Sequence, residues 1–197
     1  TRGMPVRVRR YSVTRREFIS RTSAATAGLI ILPSHVIGGL GHTPPSDKLN
    51  IAAVGIGGKG KDNLANMVGQ NIVALCDVDW DYAAGVFQTY PNAVKYKDFR
   101  KMLDKKKDIE AVLIATQDHT HYHPAALDME MGKHVYVQKP LTHSIWESRE
   151  LARLARKYNV ATQMGTEGHS SAAVRELTEI IQAFVIGEIR EIHTWTN

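Results

Sequence analysis

The sequence predicts an α/β fold in which helices cover both faces of a parallel sheet. From Lys48 onward, apolar runs of strand length alternate with longer segments of helical period, which is the order of repeated βαβ units. The strand-length runs are continuously apolar, as expected for strands that are buried on both faces. A glycine-rich turn directly follows the first run. These three observations predict a doubly wound sheet.

Six short segments are predicted to be strands, and two of the segments between them have clear helical periodicity. The strands are expected at 49–54, 72–76, 93–96, 109–115, 134–138 and 160–164. Apolar residues at helical spacing are expected to pack in the core, namely Ala83, Val86, Phe87 and Tyr90 in one helix and Leu151, Leu154, Ala155 and Tyr158 in another. A capping box of Ser144 and Glu147 should begin the second helix, and Gly132 should end the helix before the fifth strand.

The glycine-rich turn has the spacing G-x-G-x-x-G in Gly55, Gly57 and Gly60. In a dinucleotide-binding unit, the first glycine makes the turn, the second lets the backbone approach the pyrophosphate, and the third lets helix and strand pack closely. Asp77 ends the second strand, 20 residues after Gly57, where an acidic side chain accepts hydrogen bonds from the adenosine ribose. The pattern favours a Rossmann-type nucleotide site over a glycine turn without a ligand.

Asp77 also favours NAD over NADP, because its carboxylate would repel a 2′-phosphate. Lys59 and Lys61, which follow the second glycine, are the reason that NADP stays open as the cofactor.

The positive charge of the chain is concentrated at its N-terminus. The net charge of +5 includes seven arginines and one acidic residue before position 22, which leaves 18 basic and 19 acidic residues in the remainder. The folded part is therefore not expected to bind nucleic acid, and the lysines at 105–107 are expected to be a solvated helix end. Cys76 is the single cysteine, so an intramolecular disulfide is excluded and a buried structural thiol is expected.

The N-terminal segment is predicted to be an export signal. Residues 14–20 read TRREFIS, with the pair Arg15 and Arg16, and an apolar stretch follows from Ala24 to Leu32. About 10 apolar residues are too few to span a hydrocarbon core of about 30 Å, so a transmembrane helix is not expected. A twin-arginine signal and linker over 1–47 fits better and implies a periplasmic or secreted protein that meets the twin-arginine export machinery. A disordered basic tail is the alternative.

The pattern changes after Gly165, which predicts a nucleotide-binding domain over 48–166 and the beginning of another domain over 167–197. A helix from about Ser170 has one apolar face and leads into a predicted strand over 188–195. One helix and one strand cannot form a core. We therefore expect a second domain to continue beyond Asn197.

Loops beyond the carboxyl ends of the strands are where an open parallel sheet binds its ligand. Three of these loops are rich in polar side chains: 116–123 after the fourth strand, 139–140 after the fifth and 165–169 after the sixth. The candidates for chemistry therefore lie in these loops.

The chain contains five motifs, in this order: GIGGKG, ALCDVD, IATQDHTHYH, GKHVYVQKPLT and TQMGTEGHS. Their order and spacing resemble the N-terminal half of the Gfo/Idh/MocA family (glucose-fructose oxidoreductase, inositol dehydrogenase). The resemblance covers about 48–197. It implies a Rossmann domain followed by an α/β domain with an open, mostly antiparallel sheet. It also implies NAD(P)-dependent redox chemistry on a secondary alcohol of a sugar or polyol, and we expect a homo-oligomer for the full-length protein.

The resemblance also implies roles for individual residues. Lys139 is implied to contact the reacting hydroxyl, where an ammonium group would stabilise a developing alkoxide; a surface lysine beside a turn proline is the alternative. The implied cofactor-binding residues are Gly55, Gly57, Gly58, Gly60, Asp77, Thr116, His121 and Gln138, with His121 near the ribose and nicotinamide. His169 is a candidate for substrate contact or, alternatively, a solvent-exposed neighbour of a helix cap.

A metal site is the rival interpretation of Asp118, His119, His121 and His123. Zinc needs three or four converging ligands, and a short loop that opens a helix near Pro124 would rarely aim all of them inward. No metal is therefore expected.

Two positions depart from the family pattern. Gln138 stands where the family has a glutamate, so a role that depends on that charge is not carried over, and Gln117 replaces a common proline. The family's general base, a histidine, and its aspartate partner belong to the second domain and are expected beyond Asn197. The 197 residues by themselves are therefore expected to be catalytically incomplete.

The sequence thus predicts an exported NAD-dependent sugar or polyol oxidoreductase. One alternative is an NAD-dependent glycosidase that oxidises a ring hydroxyl, eliminates the aglycone and returns the hydride. Another is a nucleotide-binding protein without catalytic activity.

Overall fold

The computed structural model describes residues 47–195, and they form one sheet of six parallel strands. The strands are β1 (Asn50–Val54), β2 (Asn71–Cys76), β3 (Val94–Tyr96), β4 (Ala111–Ile114), β5 (His134–Gln138) and β6 (Thr162–Gly165). Their order across the sheet is β3-β2-β1-β4-β5-β6, and every neighbouring pair is parallel. The predicted Rossmann-type fold is confirmed, and the strand ends differ from the predicted ones by at most two residues.

Helices connect successive strands of the described part of the chain, and a further helix follows β6. They are α1 (Lys59–Ala65), α2 (Ala84–Thr89), α3 (Phe99–Lys105), α4 (Tyr122–Glu130), α5 (Ile145–Tyr158) and α6 (Ala172–Gln182), with single turns of 3-10 helix at Asp118–Thr120 and Glu167–Ser170. The predicted capping box begins α5, because Ser144 Oγ accepts a hydrogen bond from the Glu147 N–H while the Glu147 carboxylate accepts one from the Ser144 N–H. Gly132 follows α4 with a left-handed φ of 72°, as predicted for a helix end.

The core forms two clusters, one on each face of the sheet. Neighbouring residues of β1 show the division, since Ala52 belongs to the cluster that includes residues of α3, α4 and α5, while Ala53 belongs to the cluster with residues of α1 and α2. Val86 and Phe87 are buried as predicted, and Leu151 and Leu154 are buried on the other face. Helices therefore cover both faces of the sheet, and the loops at its carboxyl edge remain accessible to a ligand.

The segment predicted as a strand over 188–195 is not a strand, which corrects the prediction. A strand exists only when its backbone N–H and C=O groups pair with a neighbouring strand, and β6 is the last strand on that side of the sheet described here. The helix before this segment was predicted correctly and begins after Ser171, whose Oγ accepts a hydrogen bond from the Val174 N–H. A second domain beyond Asn197 stays a prediction.

The predicted export signal and linker cover 1–47, and all of this segment except Asp47 lies outside the described residues. Within 47–195, no helix has both the length and the apolar composition that a bilayer crossing requires.

Candidate active site

Two cavities open at the carboxyl edge of the sheet. The first has a volume of about 780 Å³ and is lined by the loops after β1, β2 and β4. The second has a volume of about 860 Å³ and is lined by the loops after β4, β5 and β6. Ala115 and Thr116 line both. The strand order reverses between β1 and β4, which is the place where doubly wound sheets bind nucleotides.

The glycine-rich turn lies in the wall of the first cavity, and Gly55, Gly57 and Gly60 allow close approaches. Gly55 has a φ of 78°, and a Cβ atom there would lie 2.6 Å from the carbonyl carbon of Ala115. A Cβ atom on Gly60 would overlap the carbonyl oxygen of Gly55, so this glycine lets α1 pack on the turn. A Cβ atom on Gly57 would meet the ring of Tyr82. The turn is therefore tightly packed, and the ring of Tyr82 lies against the glycine that a pyrophosphate would approach.

Asp77 connects the end of β2 to the glycine-rich turn. Its Oδ2 accepts hydrogen bonds from the backbone N–H groups of Ile56 (2.7 Å) and Gly57 (3.1 Å), and its Oδ1 accepts one from the N–H of Asp79 (3.0 Å). A carboxylate offers about four lone-pair sites, so Asp77 still has capacity for a ribose hydroxyl. The residue thus holds the turn and borders the first cavity at the same time.

The first cavity is also lined by residues that the sequence did not mark as part of a nucleotide site. They include Tyr82, Lys97, Phe99, Arg100, His123 and Leu127. The Arg100 guanidinium donates two hydrogen bonds to Asp98, at 3.0 and 3.2 Å, and these bonds lower the pKa of the Asp98 carboxyl. No local pattern marks these residues, because they come from separate elements that only the folded chain brings together.

Lys139 follows β5 and lines the second cavity, as do the other candidates for substrate contact. The side chain of Lys139 is exposed, and His169 is exposed in the loop after β6. Thr116 lies between them and the first cavity, and its hydroxyl accepts a 2.9 Å hydrogen bond from the Thr120 hydroxyl. An ammonium group and a histidine therefore lie beside the cavity that contains the glycine-rich turn.

Gln138 is buried beneath the second cavity. Its Oε1 accepts a 3.2 Å hydrogen bond from Nδ2 of Asn63, which is also buried and belongs to α1. A Cβ atom on Gly165 would overlap the same Oε1 atom, so the backbone of β6 packs directly on the amide. Two neutral amides suit this buried position, where a glutamate would bring a charge that burial disfavours.

Lys59 lies in the second cavity and not in the wall of the first. Its Nζ lies 2.9 Å from Oε2 of Glu167, and this hydrogen bond raises the pKa of Lys59. The pair joins the start of α1 to the loop after β6. Lys59 therefore does not line the cavity that contains Asp77, where a 2′-phosphate would bind, and Lys61 is not among the residues that line either cavity.

His121 is buried behind the two cavities and lines neither of them. Its Nδ1 lies 2.6 Å from the carbonyl oxygen of Pro140, and its Nε2 lies 3.0 Å from the carbonyl oxygen of Thr116. The other members of the suggested metal set are apart from it, since Asp118 lines the second cavity and His123 the first. Within residues 47–195, no three potential metal ligands converge.

Comparisons with known proteins relate the chain to an oxidoreductase family, to a glycosyl hydrolase and to inositol dehydrogenases. A family model described as "Oxidoreductase family, NAD-binding Rossmann fold" (GFO_IDH_MocA) matches residues 49–166. The chain is 32% identical over 126 residues to glycosyl hydrolase family 109 protein 1 of Bacteroides fragilis, with 58% of this chain and 27% of that protein covered. It is 28% identical over 151 residues to inositol 2-dehydrogenase of Salmonella typhimurium, with 74% of this chain and 45% of that protein covered.

A solved structure has the same fold. Scyllo-inositol dehydrogenase of Lactobacillus casei, with bound NAD(H) and scyllo-inositol, matches with a TM-score of 0.64 and 21% identity, over 72% of this chain and 43% of that one. The chain spans less than half the length of each of these three proteins.

Proposed function

This chain belongs to the Gfo/Idh/MocA family of oxidoreductases, with an NAD-binding Rossmann fold over 49–166, and we propose that it forms the cofactor-binding part of an enzyme. This enzyme would oxidise or reduce a secondary alcohol of a sugar or polyol. The observation that carries the proposal is the shared wall of the two cavities. Thr116 borders both the cavity with the glycine-rich turn and Asp77 and the cavity with Lys139. A cofactor and an alcohol could therefore meet at this wall.

The residues of the first cavity fit NAD. Gly57 and Gly58 line the first cavity, where a pyrophosphate would displace the ring of Tyr82 that packs against Gly57, and no side chain caps the N-terminus of α1. Asp77 would accept hydrogen bonds from the ribose hydroxyls. NAD, when bound, supplies the acceptor or donor of the hydride.

Lys139 would act on the alcohol. Its ammonium group would lie beside the hydroxyl oxygen and stabilise the negative charge that develops as the proton leaves. The hydroxyl proton needs an acceptor, and we expect this base from the second domain. The buried Gln138 would hold the β5 end of the loop against α1, and His169 would contact the substrate from the other side of the cavity.

The relatives support a cyclic polyol or sugar as the substrate, since two of them are named inositol dehydrogenases. We also propose that the protein is exported through the twin-arginine route, on the evidence of Arg15 and Arg16 before an apolar stretch.

Turnover of the full-length protein tests the proposal. NADH formation would be followed with a panel of inositols and sugars, for the wild type, for Lys139→Met and for the control Lys101→Met, which changes an exposed lysine of α3. We expect the wild type to reduce NAD, and Lys139→Met to lower kcat by about 10²- to 10³-fold. Lys101→Met should match the wild type. A Lys139→Met variant with unchanged kcat would contradict the role of the lysine.

A glycosidase is the second candidate, because the glycosyl hydrolase family 109 protein is 32% identical to this chain. Such an enzyme would oxidise a ring hydroxyl, eliminate the aglycone and return the hydride. Cleavage of a chromogenic glycoside with bound NAD and without net NADH formation would favour this candidate over the dehydrogenase.

A further inference from the structure

The ring of His121 lies between the loops that follow β4 and β5. The side chain is only 1% exposed, and its two nitrogens face the carbonyl oxygens of Thr116 and Pro140. Thr116 lines both cavities, and Pro140 directly follows Lys139. The buried His121 side chain therefore contacts the backbone of both the Thr116 loop and the Lys139 loop, which would contribute residues to the proposed reaction.

The His121 ring can act only as a hydrogen-bond donor toward these two carbonyl groups. A carbonyl oxygen only accepts hydrogen bonds, so each contact stabilises the structure when the ring nitrogen carries a proton. A neutral imidazole donates to one of the two carbonyl groups, and the doubly protonated ring donates to both. Buried backbone carbonyl groups without a donor are costly, so removing the ring nitrogens weakens the attachment of these loops to each other.

We infer that His121 is a positioning residue, which fixes the loop of Lys139 relative to the Thr116 wall of the cofactor cavity. For its effect on turnover, this inference rests on the proposed function. A displacement of about 1 Å in a reacting group can cost about 10²-fold in rate. A residue that ties the two loops together would therefore control kcat without touching either ligand.

Three variants of the full-length protein test the inference. His121→Phe keeps a ring in the buried space and removes both N–H groups, whereas His121→Gln retains an N–H donor. His119→Phe is the control, because His119 is exposed two residues earlier in the same segment. Hydrogen exchange would be measured on peptides covering 115–121 and 138–143, and on peptides of β1 and β2, together with the Kd for NAD and kcat with the polyol.

For His121→Phe we expect faster exchange in both loop peptides, by about tenfold or more, with little change in β1 and β2. We expect kcat to fall by about 10- to 100-fold while the Kd for NAD changes by less than about threefold, since the glycine-rich turn and Asp77 hold the cofactor elsewhere. His121→Gln should be intermediate, and His119→Phe should match the wild type.

Two outcomes would overturn the inference. One is unchanged exchange in the two loop peptides of His121→Phe, and the other is an increase spread evenly over the domain, which indicates ordinary loss of core stability. If the wild type turned over no polyol, the proposed function would fail. The hydrogen exchange result would still decide the positioning role.

Discussion

The carboxylate of Asp77 accepts a 3.1 Å hydrogen bond from the backbone N–H of Gly57, which lies 20 residues earlier in the chain. The same oxygen accepts a shorter bond from Ile56. The residue expected to bind the ribose therefore also fixes the shape of the turn expected to bind the pyrophosphate. A change at Asp77 is therefore expected to weaken the binding of both the adenosine ribose and the pyrophosphate.

Asp77→Asn should weaken NAD binding and reduce the preference for NAD over NADP. Hydrogen bonds to a charged group contribute about 1.5–3 kcal/mol each, so we expect the Kd for NAD to rise by about tenfold or more. Loss of the negative charge also removes repulsion of a 2′-phosphate. Calorimetric titration with both cofactors measures the two effects, and Asp104→Asn, on the exposed end of α3, is the control. Wild-type binding that is equal for NAD and NADP would refute the assignment.

Asp128 should make the protein less stable as the pH rises. Its side chain is 1% exposed in α4, neither carboxyl oxygen has a hydrogen-bond partner in the described part of the chain, and burial raises its pKa well above the usual value. The folded state therefore binds the proton more tightly than the unfolded state. Stability is fully present below about pH 4, the unfolded pKa, and is lost as the pH rises toward the folded pKa.

Asp128→Ala should remove this loss. We expect a flatter dependence of the free energy of unfolding on pH, and a gain of about 1–3 kcal/mol over the wild type at pH values above the folded pKa. Urea denaturation across the pH range measures it, with Glu130→Ala as the control at an exposed position of the same helix. A variant that is less stable than the wild type throughout would show that Asp128 has a stabilising partner.

Cys76 should be almost unreactive in the folded protein. The thiol is 2% exposed, and burial first, with Asp77 nearby, raises its pKa to about 12. Only the thiolate reacts, so the rate with a disulfide reagent near pH 8 should rise by about 10³-fold when the chain is unfolded in urea. Rapid labelling under native conditions would mean that the end of β2 opens frequently.

Export should depend on the pair Arg15 and Arg16. Changing both to lysine keeps the charge, yet we expect the protein to stay in the cytoplasm, because the route recognises the arginine pair itself. Fractionation of cells that express either form measures the effect, and Arg9→Lys with Arg10→Lys is the matched control. Unchanged export of the variant with both Arg15 and Arg16 changed to lysine would contradict the twin-arginine assignment.

The strand pattern was sufficient for the sheet, because β4 is wholly apolar and β1 and β2 are apolar after an initial asparagine. The strand pattern also predicted where Asp77 and Lys139 lie, since both directly follow strands whose carboxyl ends meet at one edge, while their roles stay predictions. It could not find the Lys59 to Glu167 pair, which joins residues 108 positions apart through the fold alone.

The role of His121 shows the same limit. The motif placed a histidine near the cofactor, but burial between two loops depends on where Pro140 lies, and no local pattern encodes that contact. The prediction of a strand over 188–195 was wrong for a related reason, since the β-propensity of a segment does not provide a neighbouring strand to pair with.

The transfer of a labelled hydride would show directly whether the protein oxidises a polyol with NAD. Full-length protein would be incubated with NAD and a polyol that carries deuterium on its secondary carbinol carbon, and the reduced cofactor would be examined by mass spectrometry. We expect the NADH to gain one deuterium, because the hydride passes directly from carbon to cofactor. Consumption of the polyol with no deuterium in the cofactor, or no transfer from any sugar or inositol tested, would contradict it.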